Sequence, residues 1–398
     1  MLVTLPILLP LLSAAMCLIA WGRVRVQNII MVACTAGMAI NGVILLAHVL
    51  QNGPVVANLS GWDAPFGIIM AGDVLSAIMT VITGVIGLAI AVYSIGGTTE
   101  ARAANGHAPL VLTMIAAVAG AFVAGDIFNL YVWFELMLLS SFVLLTLGGE
   151  RAQLEGAIKY VTLNLLSSMI FLAGIGLLYA STGSLNMADL AGRLDAMDNP
   201  TKATALAAPL LIAFGIKAAV FPLFFWLPAS YHTPPPVVSA LFAGLLTKVG
   251  VYSLIRVTTL IFDQEQAIIA DSIIVVAGLT MLSGVLGAVS QDDFRRILSF
   301  HIVSQIGYML MGLGIALSVD ARGGSDADVA ALAMGGAVFY IVHHIIVKTN
   351  LFLIAGVVVA ERGTSELKRL GGLVTTHPVL SGLFLFSSLS LAGIPILS

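Results

Sequence analysis

The sequence predicts an all-α polytopic membrane protein, and three observations carry that prediction. Of its 398 residues, 59% are hydrophobic and only 9% are charged, where soluble domains carry about 25% charged residues. Apolar windows of about 20 residues, the length that crosses a bilayer core, recur along the whole chain. The polar stretches between them are too short for a soluble core, which needs roughly 50 residues or more. The net charge of −3 says little, because charge in such a chain acts through its position. Cys17 and Cys34 fall inside apolar segments with no partner motif, so neither a disulfide nor a metal site is indicated.

The first window, near 2–21, lacks the basic leader of a signal peptide and exceeds its short apolar core, so it reads as an uncleaved span. Further spans fall near 28–50, 72–95, 109–125, 127–148, 157–180, 203–227, 235–257, 268–290, 297–317 and 329–359. A twelfth begins near 379 and meets Gly393-Ile394-Pro395. The odd-numbered loops hold nine basic residues: Arg23, Arg25, Arg102, Arg151, Arg295, Arg296, Arg362, Lys368 and Arg369. The even-numbered loops hold four: Arg193, Lys202, Arg256 and Arg322. The positive-inside rule then places the odd loops in the cytoplasm and the N-terminus outside.

The remaining basic residues, Lys159, Lys217, Lys248 and Lys348, lie inside spans. A charge at the bilayer centre costs about 2.5–3.5 kcal/mol on insertion scales, so each needs a partner or water. Lys217 and Lys248 flank a stretch punctuated by Pro222, Pro228, Pro234, Pro235 and Pro236. Proline removes a backbone donor, so broken helices are expected there. Inside lipid such breaks survive only against protein or a water-filled cavity, the arrangement of an ion pathway. The break at Pro222 has a weak counterpart in Gly393-Ile394-Pro395, which points to two inverted repeats. The expected division is therefore N-terminal spans over 1–108, one five-helix repeat over 109–258, and an incomplete second repeat over 259–398.

Glu135 is the one acid placed deep in a span, and Lys217 is its natural partner. A carboxylate–lysine pair that opens and closes changes its proton affinity, whereas a static pair stabilises little. An ordinary protonated glutamate bonded to a neighbouring helix is the alternative. Lys248 is placed to relay protons onward, and Lys159, near a span end, either joins the path or snorkels. His301, His343, His344 and Lys348 form a second group, with His344 and Lys348 on one helix face at i, i+4. Neutral imidazole both donates and accepts, which suits a proton wire, although satisfied core histidines are the plainer reading. A zinc site is disfavoured, since adjacent histidines diverge on a helix and no carboxylate or cysteine lies near. His232 sits in the break as a candidate channel mouth, while Asp73 and Asp126 sit where helix N-termini explain them. No nucleotide-binding glycine motif, nucleic-acid footprint, cofactor motif or nucleophile–base pair is present, so a transporter rather than an enzyme is expected.

The stretches FNLYVWFELMLLSSFVLL, GIKAAVFPLFFWLPASYHTPPPVVSALFAGLLTKVG and FYIVHHIIVKTNLFLIAG resemble the antiporter-like subunits shared by Mrp-type Na+/H+ antiporters and respiratory complex I. The segment WLPASYHTPPPVVSA favours the Mrp side, because complex I relatives carry a WLPDA-like segment there. The resemblance covers nearly the whole chain. It implies about 14 spans in two inverted five-helix repeats, work inside a hetero-oligomer of six or seven subunits in a bacterial inner membrane, and movement of protons against Na+. It also implies that Glu135 is the acid of span five, Lys217 the lysine of the broken span seven, and Lys248 the bridging lysine of span eight. His301, His343, His344 and Lys348 would form the central hydrophilic axis. The family's basic residue of span twelve follows the Gly-Ile-Pro break, so a truncated subunit is expected. The alternative within the resemblance is a proton-pumping subunit of a redox complex.

Overall fold

A computed structural model describes residues 1–59, 61–62, 67–322 and 327–394. The chain is helical nearly throughout, as apolar segments in lipid must be to satisfy their own backbone groups. Helices α1 (Leu5–Ile19) and α2 (Val24–Asn52) open the chain. A two-stranded antiparallel hairpin, β1 (Val55–Asn58) and β2 (Ile69–Gly72), then leads into α3 (Val74–Gly97). A short α4 (Glu100–Ala104) precedes α5 (His107–Phe122), α6 (Ile127–Thr146) and α7 (Arg151–Thr182). After α8 (Met187–Asp195) comes the interrupted region. It comprises α9 (Pro200–Ala218), α10 (Trp226–Ser230), α11 (Pro236–Leu241), a π-helical turn (Phe242–Leu246) and α12 (Thr247–Leu260). The chain continues with α13 (Gln266–Val289), α14 (Phe294–Ala321), α15 (Ala327–Arg362), α16 (Leu373–Thr376) and α17 (Pro378–Leu391).

Among the described residues nine helices are long and apolar enough to cross a membrane, and α1, α5 and α17 are shorter apolar helices. These twelve match the windows read from the sequence, with one notable departure. Span seven, expected to reach residue 227, ends as a helix at Ala218. Hydropathy continues through Val220-Phe221, but the backbone turns at Ala219, whose φ is +65°. Of the matching break near residue 393, α17 does end at Leu391 and Gly393 takes a φ of +73°, while Pro395 lies outside the described residues.

Burial separates centre from rim. The most apolar stretch of Pro236–Leu260 is wholly buried within the chain, whereas that of α13 is only 17% buried and faces outward. Helix α5 is likewise apolar on nearly every side because it runs through the interior. The proline-flanked region is thus the core of the bundle.

Each end of the bundle is tied together by its own loops. At the arginine-rich end, Arg102 pairs with Glu150 at 3.0 Å, and Lys368 with Asp292 at 2.7 Å. At the opposite end, Arg322 pairs with Asp271 at 2.7 Å, and Gln264 donates to Asp195 at 2.9 Å. Loops of like parity meet, as expected when every span crosses once.

The hairpin has no clear signal in the sequence, where a short Gly- and Asn-containing stretch reads as plain loop. It extends onto the α5–α6 junction, where Ala71 N–H donates to the Val123 carbonyl at 2.8 Å and Gly125 N–H to the Ile69 carbonyl at 2.8 Å. Asp73 and Asp126 are N-caps, as expected: Ser76 N–H donates to Asp73 at 2.9 Å, and Asn129 N–H to Asp126 at 2.6 Å. Asp73 has a second role. The Arg256 guanidinium donates to both of its carboxylate oxygens, a bidentate clamp between α3 and α12. Burial pushes the Asp73 carboxyl up, yet Arg256 and the cap outweigh it and hold it below its usual value. The contribution of this clamp is therefore present at neutral pH and is lost only as pH falls through that lowered value. Asp73→Asn should lower the thermal midpoint of the purified protein, with a loss of roughly 1.5–3 kcal/mol for a charge-assisted bond. An unchanged midpoint would reduce the clamp to a surface contact.

Candidate functional site

Lys217 sits on the last turn of α9, where the helix stops, and is 4% exposed. Its ammonium donates to Ser168 Oγ at 3.1 Å and to the Asn164 carbonyl at 3.4 Å, both on α7. The nitrogen also lies over the Phe134 ring, 5.4 Å from its centroid. The freed backbone beyond it is satisfied by protein: Trp226 Nε1 donates to the Ile216 carbonyl at 2.9 Å, and Phe221 N–H to Thr280 Oγ1 at 2.9 Å. The break at Pro222 is thus a built feature, as broken helices at membrane depth require.

The expected direct pair of Glu135 and Lys217 is not formed among the described residues. Side chains one residue apart on a helix diverge, so Phe134 meets the lysine while Glu135 is turned toward a half-buried flank. Glu135 still acts on Lys217 through space, and on Tyr131 and Tyr160 as well. One of its oxygens is buried without a hydrogen-bond partner among the described residues. The geometry is that of a pair held apart.

Pro234, Pro235 and Pro236 form the second break. Pro235 is extended and Pro236 is the first residue of α11, where a missing N–H costs nothing. The π turn then precedes Lys248, which is wholly buried and donates back to the Ala243 carbonyl. Gly250 permits the approach of the two lysine-bearing helices. A Cβ there would stand 2.5 Å from the Ala218 nitrogen and 2.9 Å from the Lys217 carbonyl carbon. Only a glycine lets α12 lie against the end of α9.

Beyond Lys248, the His344 and Lys348 side chains are both wholly buried, one turn apart on α15. Lys348 donates to the Leu298 carbonyl of α14 at 3.3 Å. Lys248, Lys348 and His301 all act electrostatically on His344, whose two ring nitrogens lack partners among the described residues. Buried polar atoms without protein partners are the places where ordered water sits. His343 departs from this group: its Nε2 is 2.8 Å from Ser390 Oγ on α17, and its ring stacks on Tyr340 at 5.7 Å. Adjacent residues on a helix point about 100° apart, so one histidine faces the axis and its neighbour faces α17.

Lys159 stands apart from the axis altogether. It is exposed on α7 and paired with Glu155 one turn earlier at 2.6 Å. His232 lies in the break, half-buried, with Nδ1 2.8 Å from the Pro228 carbonyl and with Asp293, Arg295 and Arg296 acting on it. Arg295 anchors that break by donating to the Pro234 carbonyl and, at 2.7 Å, to Ser239 Oγ. Reading single ionisable residues misses Arg295 and the hydroxyl and amide groups of α7. Their signal is the recurrence of polar residues at 160, 164, 167 and 168, a helical spacing inside an otherwise apolar span. No metal-binding group of His, Cys, Asp and Glu occurs among the described residues.

Fold and site together define a polytopic helical membrane protein whose buried lysines and histidines line up behind interrupted helices. Residues 124–398 match the family described as NADH:quinone oxidoreductase/Mrp antiporter, TM. The chain is 43% identical over 397 residues to the D subunit of the Na(+)/H(+) antiporter of Alkalihalophilus pseudofirmus, and 39% identical to that of Bacillus subtilis. Each alignment spans 100% of this chain and 78% of the relative. Among solved structures, the Mrp complex from Dietzia sp. DQ12-45-1b matches with a TM-score of 0.88 at 34% identity, covering 99% of this chain and 71% of that one. The membrane-bound sulfane sulfur reductase, an archaeal respiratory membrane complex, matches with a TM-score of 0.85 at 25% identity, covering 99% and 78%. This chain belongs to the NADH:quinone oxidoreductase/Mrp antiporter family.

Two stability outcomes follow from the packing. Lys217→Met should leave the thermal midpoint unchanged or raise it, because an apolar side chain of similar size replaces a buried charge without a counterion in contact. A drop of several degrees would instead make Lys217 a structural strut. Gly250→Val should destabilise by about 1–3 kcal/mol through overpacking against α9, read in the same melting experiment.

Proposed function

We propose that the chain is the D-type, proton-translocating subunit of a multisubunit Na+/H+ antiporter of bacterial inner membranes. The observation that carries this is the buried series Lys217, Lys248, His344 and Lys348, the first two beside the interruptions at Pro222 and Pro234–Pro236 and the last two on the continuous α15. Such groups are expensive in a membrane and serve as proton stations. In this reading Glu135 modulates Lys217 across a gap, and the ammonium exchanges its proton toward Lys248. The Lys248 proton then passes to His344 and Lys348, and on toward His301. His343 lies at the flank of the path, where it meets α17. His232 serves at a mouth of the path, and Lys159 takes no part in it.

The names of the relatives, the D subunits of two antiporters and a chain of an Mrp complex, support subunit partners within a hetero-oligomer. The basic residues of the odd loops support an N-terminus outside the cell. The interruptions after α9 and after α17 support inverted repeats over 109–258 and 259–398, with 1–108 as an N-terminal addition. A transporter subunit fits these findings better than an enzyme.

A second reading, a proton pump that a redox complex drives, is favoured by the fold shared with the sulfane sulfur reductase. Na+-driven proton movement in everted vesicles carrying the complete operon separates the two. The antiporter reading expects exchange in the wild type and its loss in Lys217→Ala and Glu135→Ala with the complex still assembled. Unchanged exchange in both variants would remove the path. A wild type indifferent to Na+ would favour the redox-driven reading.

A further inference from the structure

The end of the bundle opposite the arginine-rich loops holds a buried carboxyl that the ionisable axis does not use. Three segments cross there side by side: β2, the α5–α6 junction and the α7–α8 junction. Ala71 N–H donates to the Val123 carbonyl and Gly125 N–H to the Ile69 carbonyl. On the other side, Ile127 N–H donates to the Leu185 carbonyl at 2.9 Å and Met187 N–H to the Gly125 carbonyl at 3.1 Å. Isolated bridges pair Met70 with Ala124 and Asp126 with Asn186. Gly125 allows this closeness, since a Cβ there would stand 2.8 Å from the Ile69 carbonyl oxygen. The crossing holds the starts of α6 and α8 against the hairpin.

Asp126 lies within that crossing and is 8% exposed. One oxygen, Oδ1, accepts the α6 cap bond from Asn129 N–H, and the other, Oδ2, is buried without a hydrogen-bond partner among the described residues. No cation compensates it. The described residues of the hairpin carry no charge, nor do the last turns of α7, and the one ionisable group of α5, His107, is at its far end. Asp189 and Arg193 of α8 pair with each other at 2.8 Å, and Asp73 before α3 is held by Arg256 of α12. On α6 itself the nearest ionisable side chains are Tyr131 and, a turn beyond, Glu135. Burial pushes the Asp126 carboxyl up to about 6, against the pull of the Asn129, Ile69 and Phe128 N–H groups.

We infer that Asp126 is a proton-operated latch: the crossing of β2 with residues 123–127 and 185–187 stays shut while its carboxyl is protonated, and ionisation opens it to water. An ionised carboxylate buried with one oxygen unpaired is costly, and the nearest further donors are water molecules, which enter only if the crossing parts. The neutral carboxyl carries no such demand. The proton passes between the carboxyl and the aqueous phase at that end, and only an O–H bond is made or broken. A value of 3.8 in the open crossing and about 6 in the closed one favours closure in acid, and that contribution is lost as pH rises through about 6. The Asp73–Arg256 clamp responds the other way, weakening only in acid. The short strand β2 is thus held at one end by a bond that acid breaks and at the other by one that acid favours. Helix α6 starts at the latch and carries Phe134, the ring beneath the Lys217 ammonium, two turns on. On the orientation proposed above this end faces outside the cell; the latch itself does not depend on that reading.

Amide hydrogen exchange of the full chain in its assembled complex, corrected for the intrinsic pH dependence of exchange, tests the latch. The reporting amides are Ala71, Gly125, Ile127, Asn129 and Met187. Between about pH 5 and about pH 7 their opening equilibrium should rise roughly tenfold in the wild type, the ratio that a displacement from 3.8 to about 6 produces over that interval. Asp126→Asn retains a cap but cannot ionise, so its amides should show no rise. Asp271→Asn, which removes an exposed carboxylate of the same end paired with Arg322, should behave as the wild type. The protonated-carboxyl infrared band lost over the same interval should shrink in Asp126→Asn, which identifies the titrating group. Equal protection at both pH values in the wild type, or a tenfold rise that persists in Asp126→Asn, would overturn the latch. If Asp126→Asn does not assemble, Asp126→Ser, a capping residue without a charge, takes its place.

Discussion

Burying an ammonium away from water is the constraint on which the rest of this structure depends. Lys217, Lys248 and Lys348 lie inside the bundle, and no carboxylate touches any of them among the described residues. Their nitrogens are met instead by carbonyls: Asn164 for Lys217, Ala243 for Lys248 and Leu298 for Lys348. A carbonyl solvates an ammonium without holding it as a carboxylate does, which suits the proposed role of these lysines as proton stations. The π turn and Gly250 serve part of that arrangement. The π turn supplies the Ala243 carbonyl, those of Asn164 and Leu298 come from the continuous α7 and α14, and Gly250 lets α12 lie close against the end of α9.

Hydropathy alone marks the twelve spans, because lipid imposes one requirement on every residue of a crossing helix. The same property misplaces the end of span seven. Phe221, Leu223 and Phe224 are as apolar as the helix before them, and the stop at Ala218 depends on a backbone turn that hydropathy does not register. Proline content does mark the neighbourhood correctly. The hairpin of β1 and β2 escapes because strands of four residues carry too little alternation to stand out.

For the site, the buried lysines are legible as charges left over inside apolar spans. Their partners are not. A sequence suggests Glu135 and Lys217 as a pair by charge, yet the helix phase of α6 directs Phe134 to the lysine and Glu135 aside. Adjacency groups His343 with His344, and adjacency on a helix is separation in space. Lys159 has the position of a possible station, and an i, i+4 glutamate on an exposed face accounts for it. In each case the missing information is which way a helix is turned, a property set by its neighbours rather than by its own residues.

Ion pairs and hydrogen bonds join loop to loop at both surfaces, from Arg102–Glu150 and Lys368–Asp292 on one side to Asp73–Arg256 and Arg322–Asp271 on the other. A bundle braced at both plates resists the rocking of one half against the other. On the proposed function, such a frame favours turnover by side-chain swings and the rearrangement of internal water. On that reading the surrounding lipid has little work to do in each cycle, and bilayer thickness and lateral tension are expected to be weak influences on the rate.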